Sequence, residues 1–242
     1  MPIITIRLNN HLKVDICINA PLAIARSQLI NFMCKLRPDF QIICVVLKYI
    51  FKRRELIGNH KLTSYGLCML VVYFFQTKNL LPSIDLLIQH KSSSVILEAT
   101  ECGFCKSVKI VRDLNLCDLT SVQPPKFLLC EFFKFYSDFN FAQRIIMPKT
   151  ANENLINNID FNFNNNFMNI QDIFVTTQNT TYSINESGFK ELITFIKKVN
   201  NNSTDCFGRS FIFRKLLNER LVYFIYFIIF CDIIILFFSR LE

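Results

Sequence analysis

The segment YGLCMLVVYFFQ, residues 65–76, constrains the fold most, because it is apolar on every side. A helix without a polar face has to be surrounded by other elements, so this segment predicts a buried central helix. Thr63 or Ser64 precedes it and is a suitable N-terminal cap. The chain has enough apolar material to enclose such a helix, since 51% of its 242 residues are hydrophobic and 19% are charged.

Two β-branched runs open the chain. PIITIRL and LKVDICI are joined by the turn NNH and predict a hairpin across residues 2–18. Asp15 lies on the second strand, where a carboxylate is either at a solvated strand end or a ligand of a metal or basic group. Helices are predicted from Pro21 and from Pro38, because proline favours the first helical position. On the second helix Lys48 and Lys52 lie four residues apart, where one polyphosphate could contact both.

The remaining segments alternate between helices and irregular stretches. LLPSIDLLIQH predicts a short helix, residues 91–123 an irregular segment, and PPKFLLCEFFKFYSDFNF an amphipathic helix. The Asn-rich stretch NENLINNIDFNFNNNFMN predicts a mobile loop, and IQDIFVTTQNTTYSI an extended or loop segment. Asn185 or Ser187 begins a further helix. This order predicts an α+β protein.

The charge and the cysteines restrict the partners and the compartment. A net charge of +8 and a pI near 9.0 favour an anionic partner, either nucleic acid, nucleotides or an acidic membrane surface. Ten cysteines without an N-terminal secretory signal indicate a reducing intracellular environment in which most thiols are buried hydrophobic groups. The single CGFC motif lacks the second cysteine pair of a zinc ribbon, which favours buried thiols over a zinc site.

The segment LVYFIYFIIFCDIIILFF, residues 221–238, is a candidate transmembrane helix. At ~1.5 Å per residue it is about long enough to cross a bilayer core. The basic residues of 209–220 precede it and would keep the folded part on the cytosolic or matrix side. Asp232 near its middle favours the alternative, a buried core helix or an unrelated tail. Both interpretations stay open.

Taken in order, these segments resemble the terminal nucleotidyltransferases that add nucleotides to RNA 3′ ends, which include mitochondrial-type poly(A) polymerases and terminal uridylyltransferases. VDICINAPLAIARSQLI resembles the strand with the third catalytic carboxylate and the helix after it. VVLKYIFKRRELI is similar to the VKxWxKxxxI helix, LTSYGLCMLVVYFFQ to LSSYxLxLMVxxFLQ, and LLPSI to LPxL. LLCEFFKFYSDFNF resembles the LLxxFFxYYxxFDF helix of the PAP-associated domain, and IQDIFVTTQN its IxDPFxxxHN strand.

The resemblance runs from Pro2 to Lys198 and implies a domain order. Residues 1–20 would form part of a nucleotidyltransferase palm with two strands, residues 21–121 a helical central domain, and residues 122–200 a PAP-associated portion. Residues 201–220 would form a basic linker before the candidate membrane helix.

The resemblance also implies a role for individual residues. Asp15 would be one of three carboxylates that hold two Mg²⁺ or Mn²⁺ ions while ATP or UTP donates a nucleotide to an RNA 3′ end. Lys48 and Lys52 would hold the triphosphate, Ser64 would hydrogen-bond a phosphate, and Tyr65 would stack on the base.

Several positions depart from the family pattern. Arg26 replaces a ribose-contacting Asn and could still meet a phosphate, Ile50 replaces a Trp, and Ile173 replaces the Pro of DPF. Asp172 lies where the family has an acidic residue near the base. Gln178 replaces the base-reading His of uridine-preferring members and leaves the base undetermined, because an amide offers either a donor or an acceptor.

Residues 1–14 contain no Asp or Glu, although the family has a D-x-D pair upstream of its third carboxylate. One carboxylate cannot organise two Mg²⁺ ions, so the hypothesis is a truncated product with impaired transfer, poly(A) addition being slightly favoured over poly(U). Two alternatives are a catalytically inactive nucleotide- or RNA-binding module, which would regulate a complete paralogue or another protein partner, and a membrane-tethered regulatory protein. The expected location is the cytoplasm or the mitochondrion.

Overall fold

The computed structural model describes residues 3–8, 12–155, 163 and 166–203. The strands in this part of the chain are β1 (Ile3–Leu8), β2 (Leu12–Cys17), β3 (Ile96–Leu97), β4 (Thr100–Glu101), β5 (Arg144–Met147), β6 (Asn152–Leu155) and β7 (Asn169–Ile170). The helices are α1 (Pro21–Leu36), α2 (Pro38–Arg53), α3 (Ser64–Thr77), α4 (Ile84–Gln89), α5 (Val108–Asp113), α6 (Pro125–Asp138) and α7 (Glu186–Ser203). The mixed α+β class is therefore as predicted.

The N-terminal hairpin forms as the β-branched runs predict. β1 and β2 pair antiparallel, with Thr5 directly opposite Asp15. Asn19 follows with a φ of 55°, a left-handed conformation that Asn tolerates better than most residues. This turn sends the chain from β2 into α1, which begins at Pro21.

Helix α3 lies at the centre of the core, as its uniformly apolar sequence predicts. Residues 66–67 and 69–76 are buried, and α2 and α6 pack against it. Phe74 meets Phe132 of α6 edge to face with ring centroids 5.7 Å apart, and Phe75 meets Phe40 of α2 at 5.4 Å. Each buried ring contributes about 1.5–3 kcal/mol through its removal from water. The fixed core of α3 therefore gives its N-terminal turn a rigid support.

Thr63 caps that N-terminal turn. Its side-chain oxygen accepts a hydrogen bond from the backbone N–H of Gly66 at 2.8 Å, which satisfies one of the free donors at the helix start. Ser64 is consequently the first residue of α3 and Tyr65 the second. Both side chains predicted to contact a nucleotide thus lie at the end of the central helix.

Two irregular regions contain more regular structure than predicted. The prediction of a loop from Asn152 is wrong at its start, because Asn152–Leu155 pairs antiparallel with β5, which also pairs parallel with β7. The rest of the Asn-rich loop falls mostly on residues 156–162, 164 and 165, outside the described residues. Residues 91–123 include the β3–β4 hairpin and α5. These elements have two to six residues each, too few to produce a clear period in the sequence.

The last described helix, α7, begins after Asn185, whose side-chain oxygen accepts from the Gly188 N–H at 2.8 Å. It packs against α6. The candidate transmembrane segment 221–238 and most of the predicted linker lie outside the described residues. None of the helices in the described part has the length and apolarity that a membrane crossing requires.

Candidate nucleotide-binding site

Four of the predicted site residues meet at one corner of the fold. The Tyr65 hydroxyl donates to Asp172 Oδ2 at 2.9 Å, and Arg26 Nε forms an ion pair with the same oxygen, also at 2.9 Å. The Arg26 guanidinium carbon lies 5.6 Å from the centroid of the Tyr65 ring, and Nη2 donates to Gln178 Oε1 at 3.4 Å. Helices α1 and α3 and the segment after β7 therefore bring together side chains up to 152 residues apart.

Asp172 is the buried centre of this corner. It is 1% exposed, and its second oxygen, Oδ1, accepts from the backbone N–H groups of Phe174 at 3.0 Å and Val175 at 2.9 Å. A buried carboxylate is costly unless it is paired, and here both oxygens have charge-assisted or hydrogen-bonded partners. The carboxylate thus fixes the turn after β7 and holds Tyr65 and Arg26 in place.

The same carboxylate affects the ionisation of Tyr65. Burial, and then the negative charge of Asp172, raise the pKa of Tyr65 well above its ordinary value, while Arg26 opposes the shift. Tyr65 therefore stays neutral near pH 7 and acts as a hydrogen-bond donor.

Asn179 positions the segment that carries Asp172 and Gln178, although sequence reasoning did not single it out. Its side-chain oxygen accepts from the N–H groups of Ile170 at 3.1 Å and Thr181 at 3.0 Å, and its amide nitrogen donates to the Met168 carbonyl at 3.1 Å. One buried side chain thereby joins both ends of the segment. The only signal for this role of Asn179 in the sequence was its place at the end of the IQDIFVTTQN block, because a polar run does not show which of its residues is buried.

Lys48 and Lys52 are exposed on α2, and Ser64 is exposed at the start of α3. Burial raises the pKa of the Cys44 thiol, which hydrogen-bonds to Cys68, while the Lys48 charge lowers it. Cys68 lies one turn beyond Tyr65 on α3. Lys48 lies one helical turn after Cys44 on α2 and therefore on the same face of that helix as the thiol.

The predicted metal site is less completely described than the corner around Asp172. Asp15 has a backbone position on β2 opposite Thr5, and its side chain lies outside what the structure describes. No group of three His, Cys, Asp or Glu side chains within the described ranges could hold a metal ion. These residues therefore do not by themselves fit a two-magnesium centre. Cys102 and Cys105 of the CGFC motif are buried thiols, as predicted.

Comparison with known sequences finds similar proteins, among them poly(A) polymerases from two vertebrates. No protein-family model matches the chain. The speckle targeted PIP5K1A-regulated poly(A) polymerase of Xenopus tropicalis is 26% identical over 147 residues, and that of Danio rerio is 25% identical over 146 residues. The alignments cover 57% and 56% of this chain but 17% and 18% of the relatives, so the chain spans less than a fifth of their length.

Comparison with solved structures defines the fold as that of a terminal nucleotidyltransferase. The crystal structure of mtPAP in complex with UTP superposes with a TM-score of 0.71 at 15% identity, over 86% of this chain and 43% of that chain. The Cid1 poly(U) polymerase with Mg and 3′-dATP gives 0.74 at 19% identity, over 90% of this chain and 68% of that chain. The predicted resemblance is confirmed: the proteins similar to this chain are poly(A) and poly(U) polymerases, which are nucleotidyltransferases.

Proposed function

We propose that this chain binds a nucleoside triphosphate, ATP or UTP, as the nucleotide-binding part of an RNA 3′-terminal nucleotidyltransferase. The observation that carries the proposal is the convergence of Arg26, Tyr65, Asp172 and Gln178 at one corner. An aromatic ring beside an exposed amide provides a surface for stacking and a group for hydrogen bonding, the two elements of base recognition.

The triphosphate would lie along the lysines of α2. Lys48 and Lys52 are exposed and one helical turn apart on α2, and the exposed Ser64 begins α3, which packs against α2. Ammonium groups and a hydroxyl at a helix start are suited to phosphate oxygens. Base and phosphates would thus contact two adjoining surfaces of the same helical core.

Nucleotide transfer to the RNA 3′-hydroxyl would need Mg²⁺ or Mn²⁺. Asp15 is the candidate ligand, and a two-metal centre would need further carboxylates that the described residues do not supply. This chain alone is therefore expected to bind nucleotide and to incorporate little or none of it into RNA. The same shortage of carboxylates favours the second candidate function, a catalytically inactive nucleotide- or RNA-binding module that acts with a complete paralogue or another protein.

Isothermal titration calorimetry with ATP and UTP tests the binding site. Tyr65→Ala should weaken binding about tenfold or more, because stacking contributes about 1–3 kcal/mol per base, whereas Tyr65→Phe keeps the ring and should bind almost normally. Tyr182→Ala is the control, since Tyr182 is 75% exposed and is not among the site residues. Equal affinities for Tyr65→Ala and Tyr182→Ala, with melting curves that show both variants folded, would refute the proposed site.

Two assays separate transfer from binding alone. Labelled ATP or UTP is offered to the chain with an RNA primer, and to a form of the protein extended upstream. Incorporation of label by the extended form alone supports the transferase function. Absence of incorporation by both forms supports the inactive binding module. Thermal stabilisation by nucleotide that does not change when Mg²⁺ is added also favours the binding module.

The proposed location is the cytoplasm or the mitochondrion. Insertion of residues 221–238 into a membrane is a separate proposal. Carbonate extraction of a tagged full chain tests it: a protein released into the supernatant is not inserted.

A further inference from the structure

We propose that Arg26 fixes the orientation of the Gln178 amide and thereby makes the site prefer uracil to cytosine. The inference rests on the proposed function, because it concerns the base of the nucleotide bound at the same corner. It assigns to Arg26 a positioning role in base selection in place of a contact with sugar or phosphate.

The Arg26 guanidinium is held by groups that are themselves fixed. Its Nε pairs with the buried carboxylate of Asp172, and the Tyr65 ring lies beside it at 5.6 Å. Asp172 is in turn fastened by the backbone N–H groups of its own turn. Arg26 therefore presents Nη2 from a defined place.

The backbone of Gln178 is also fixed. Its N–H donates to the Val175 carbonyl at 2.9 Å, and its own carbonyl accepts from the Asp172 N–H at 2.9 Å. The side chain is exposed, so the remaining freedom is rotation of the side chain and of its amide.

Contact with Arg26 removes the ambiguity of that amide. A guanidinium carries donors and no acceptor, so the group of Gln178 that faces Nη2 has to be the oxygen, Oε1. The opposite orientation would set N–H groups against N–H groups. The amide nitrogen, Nε2, is then directed away from Arg26 with its donors available to a ligand.

Asp172 cannot supply an acceptor to compensate. A carboxylate has about four lone-pair sites. Oδ1 of Asp172 accepts from two backbone N–H groups, and Oδ2 accepts from the Tyr65 hydroxyl and forms an ion pair with Arg26. The side chain is moreover 1% exposed, so a ligand cannot reach its oxygens. The side-chain group that this corner directs towards a base is therefore a donor, the amide nitrogen of Gln178.

Donors discriminate between the two pyrimidines. Uracil carries a carbonyl acceptor at position 4, as thymine does, whereas cytosine carries an amino donor there. UTP and CTP share their sugar and triphosphate and differ only along this edge. Adenine also has an amino group on its corresponding edge, so the inference favours UTP over ATP and departs from the slight preference for poly(A) that the sequence suggested.

The test compares dissociation constants of UTP and CTP by calorimetry, using the full chain and its variants. The wild type should bind UTP about tenfold more tightly than CTP, which corresponds to about 1.4 kcal/mol. Arg26→Met keeps the length of the side chain but lacks donors, so the ratio should fall towards one, while Arg26→Lys retains a donor and should keep part of the preference. Gln178→Glu presents only acceptors and should shift the preference towards CTP.

The ratio of the two dissociation constants is informative because partial unfolding would weaken the binding of UTP and of CTP equally. Equal affinities of the wild type for UTP and CTP overturn the role of Arg26 and leave the proposed nucleotide site intact. An Arg26→Met variant with an unchanged ratio of UTP to CTP affinity also overturns it, whatever the absolute affinities. Tighter binding of both nucleotides at that unchanged ratio would show that Arg26 occupies the place of the base. Failure of the wild type to bind any nucleoside triphosphate overturns the proposed function and this inference together.

Discussion

Replacement of Asp172 by Asn is the most direct test of how the corner is stabilised. The amide has almost the same shape as the carboxylate, and its oxygen can still accept from Phe174 and Val175. Its nitrogen, however, would face Arg26, which offers only donors, and the ion pair is lost. The variant thus removes the charge with little change in volume.

The expected loss is about 2 kcal/mol. Removing one partner of a fully buried ion pair costs about 3–5 kcal/mol. The Arg26 side chain is 22% exposed, so it can turn partly to water and the cost is smaller. A further small loss comes from the Tyr65 hydroxyl, which would have to become the acceptor of the new amide. For a folded unit of this size, about 2 kcal/mol lowers the melting temperature by about 4–8 °C.

The measurement is urea unfolding and thermal melting followed by circular dichroism. Asp113→Asn is a matched control, because Asp113 is exposed at the end of α5, and its change in stability should stay within about 0.5 kcal/mol. Addition of Arg26→Met to Asp172→Asn should cost little more, since the pair is already broken. If Asp172→Asn has the same melting temperature as Asp113→Asn, Asp172 does not hold Arg26 and Tyr65 in place. The basis for a fixed orientation of the Gln178 amide is then lost.

Two further predictions concern the scaffold. Four hydrogen-bond donors lower the pKa of Glu101 to about 2, and the Lys91 ammonium and the Ser94 hydroxyl have the largest effects. The stabilising effect of the Glu101 carboxylate should therefore be complete above about pH 5 and lost as the pH falls towards 2. Glu101→Gln should therefore melt lower than the wild type at neutral pH, with a difference that shrinks in acid; a constant difference in melting scans across pH would contradict the pairing. Tyr136→Phe removes a buried hydrogen bond to the Leu70 carbonyl, 2.7 Å long, and should cost about 1 kcal/mol in urea unfolding. The exposed Tyr182→Phe control should be neutral, and equal stability of the two variants would count against that bond.

Periodicity and proline position predicted the helices well because both act within a few turns of chain. Helices α1 and α2 begin at Pro21 and Pro38, and α3 is buried as its apolar composition requires. Strand β6 was missed because Asn152–Leu155 has no β-branched residue, so its pairing with β5 depends on tertiary contacts that a short polar run does not reveal.

The site was predictable as a set of residues but not as a set of contacts. The order of the sequence blocks selected Arg26, Tyr65, Asp172 and Gln178, and these side chains meet through Arg26 and Asp172. Which of them bonds to which depends on side-chain reach between segments 107 and 152 residues apart. Local patterns carry no information on those contacts, and for Asn179 they gave only its place at the end of the IQDIFVTTQN block, not its role in holding the segment together.

Arg26 shows how a single replacement can redistribute charge within such a site. Arg26 replaces a sugar-contacting Asn and could, as a cation, still meet a phosphate. The carboxylate of Asp172 is nearly inaccessible to water, however, and would lose its ion-pair partner if Arg26 turned away. An ion pair in a poorly solvated place is much stronger than one between a solvated guanidinium and a mobile phosphate. The charge of Arg26 is therefore used within the fold, and attraction of the triphosphate falls to the exposed lysines of α2. Nucleotide affinity should accordingly depend on salt through Lys48 and Lys52, whereas the choice of base depends on Arg26.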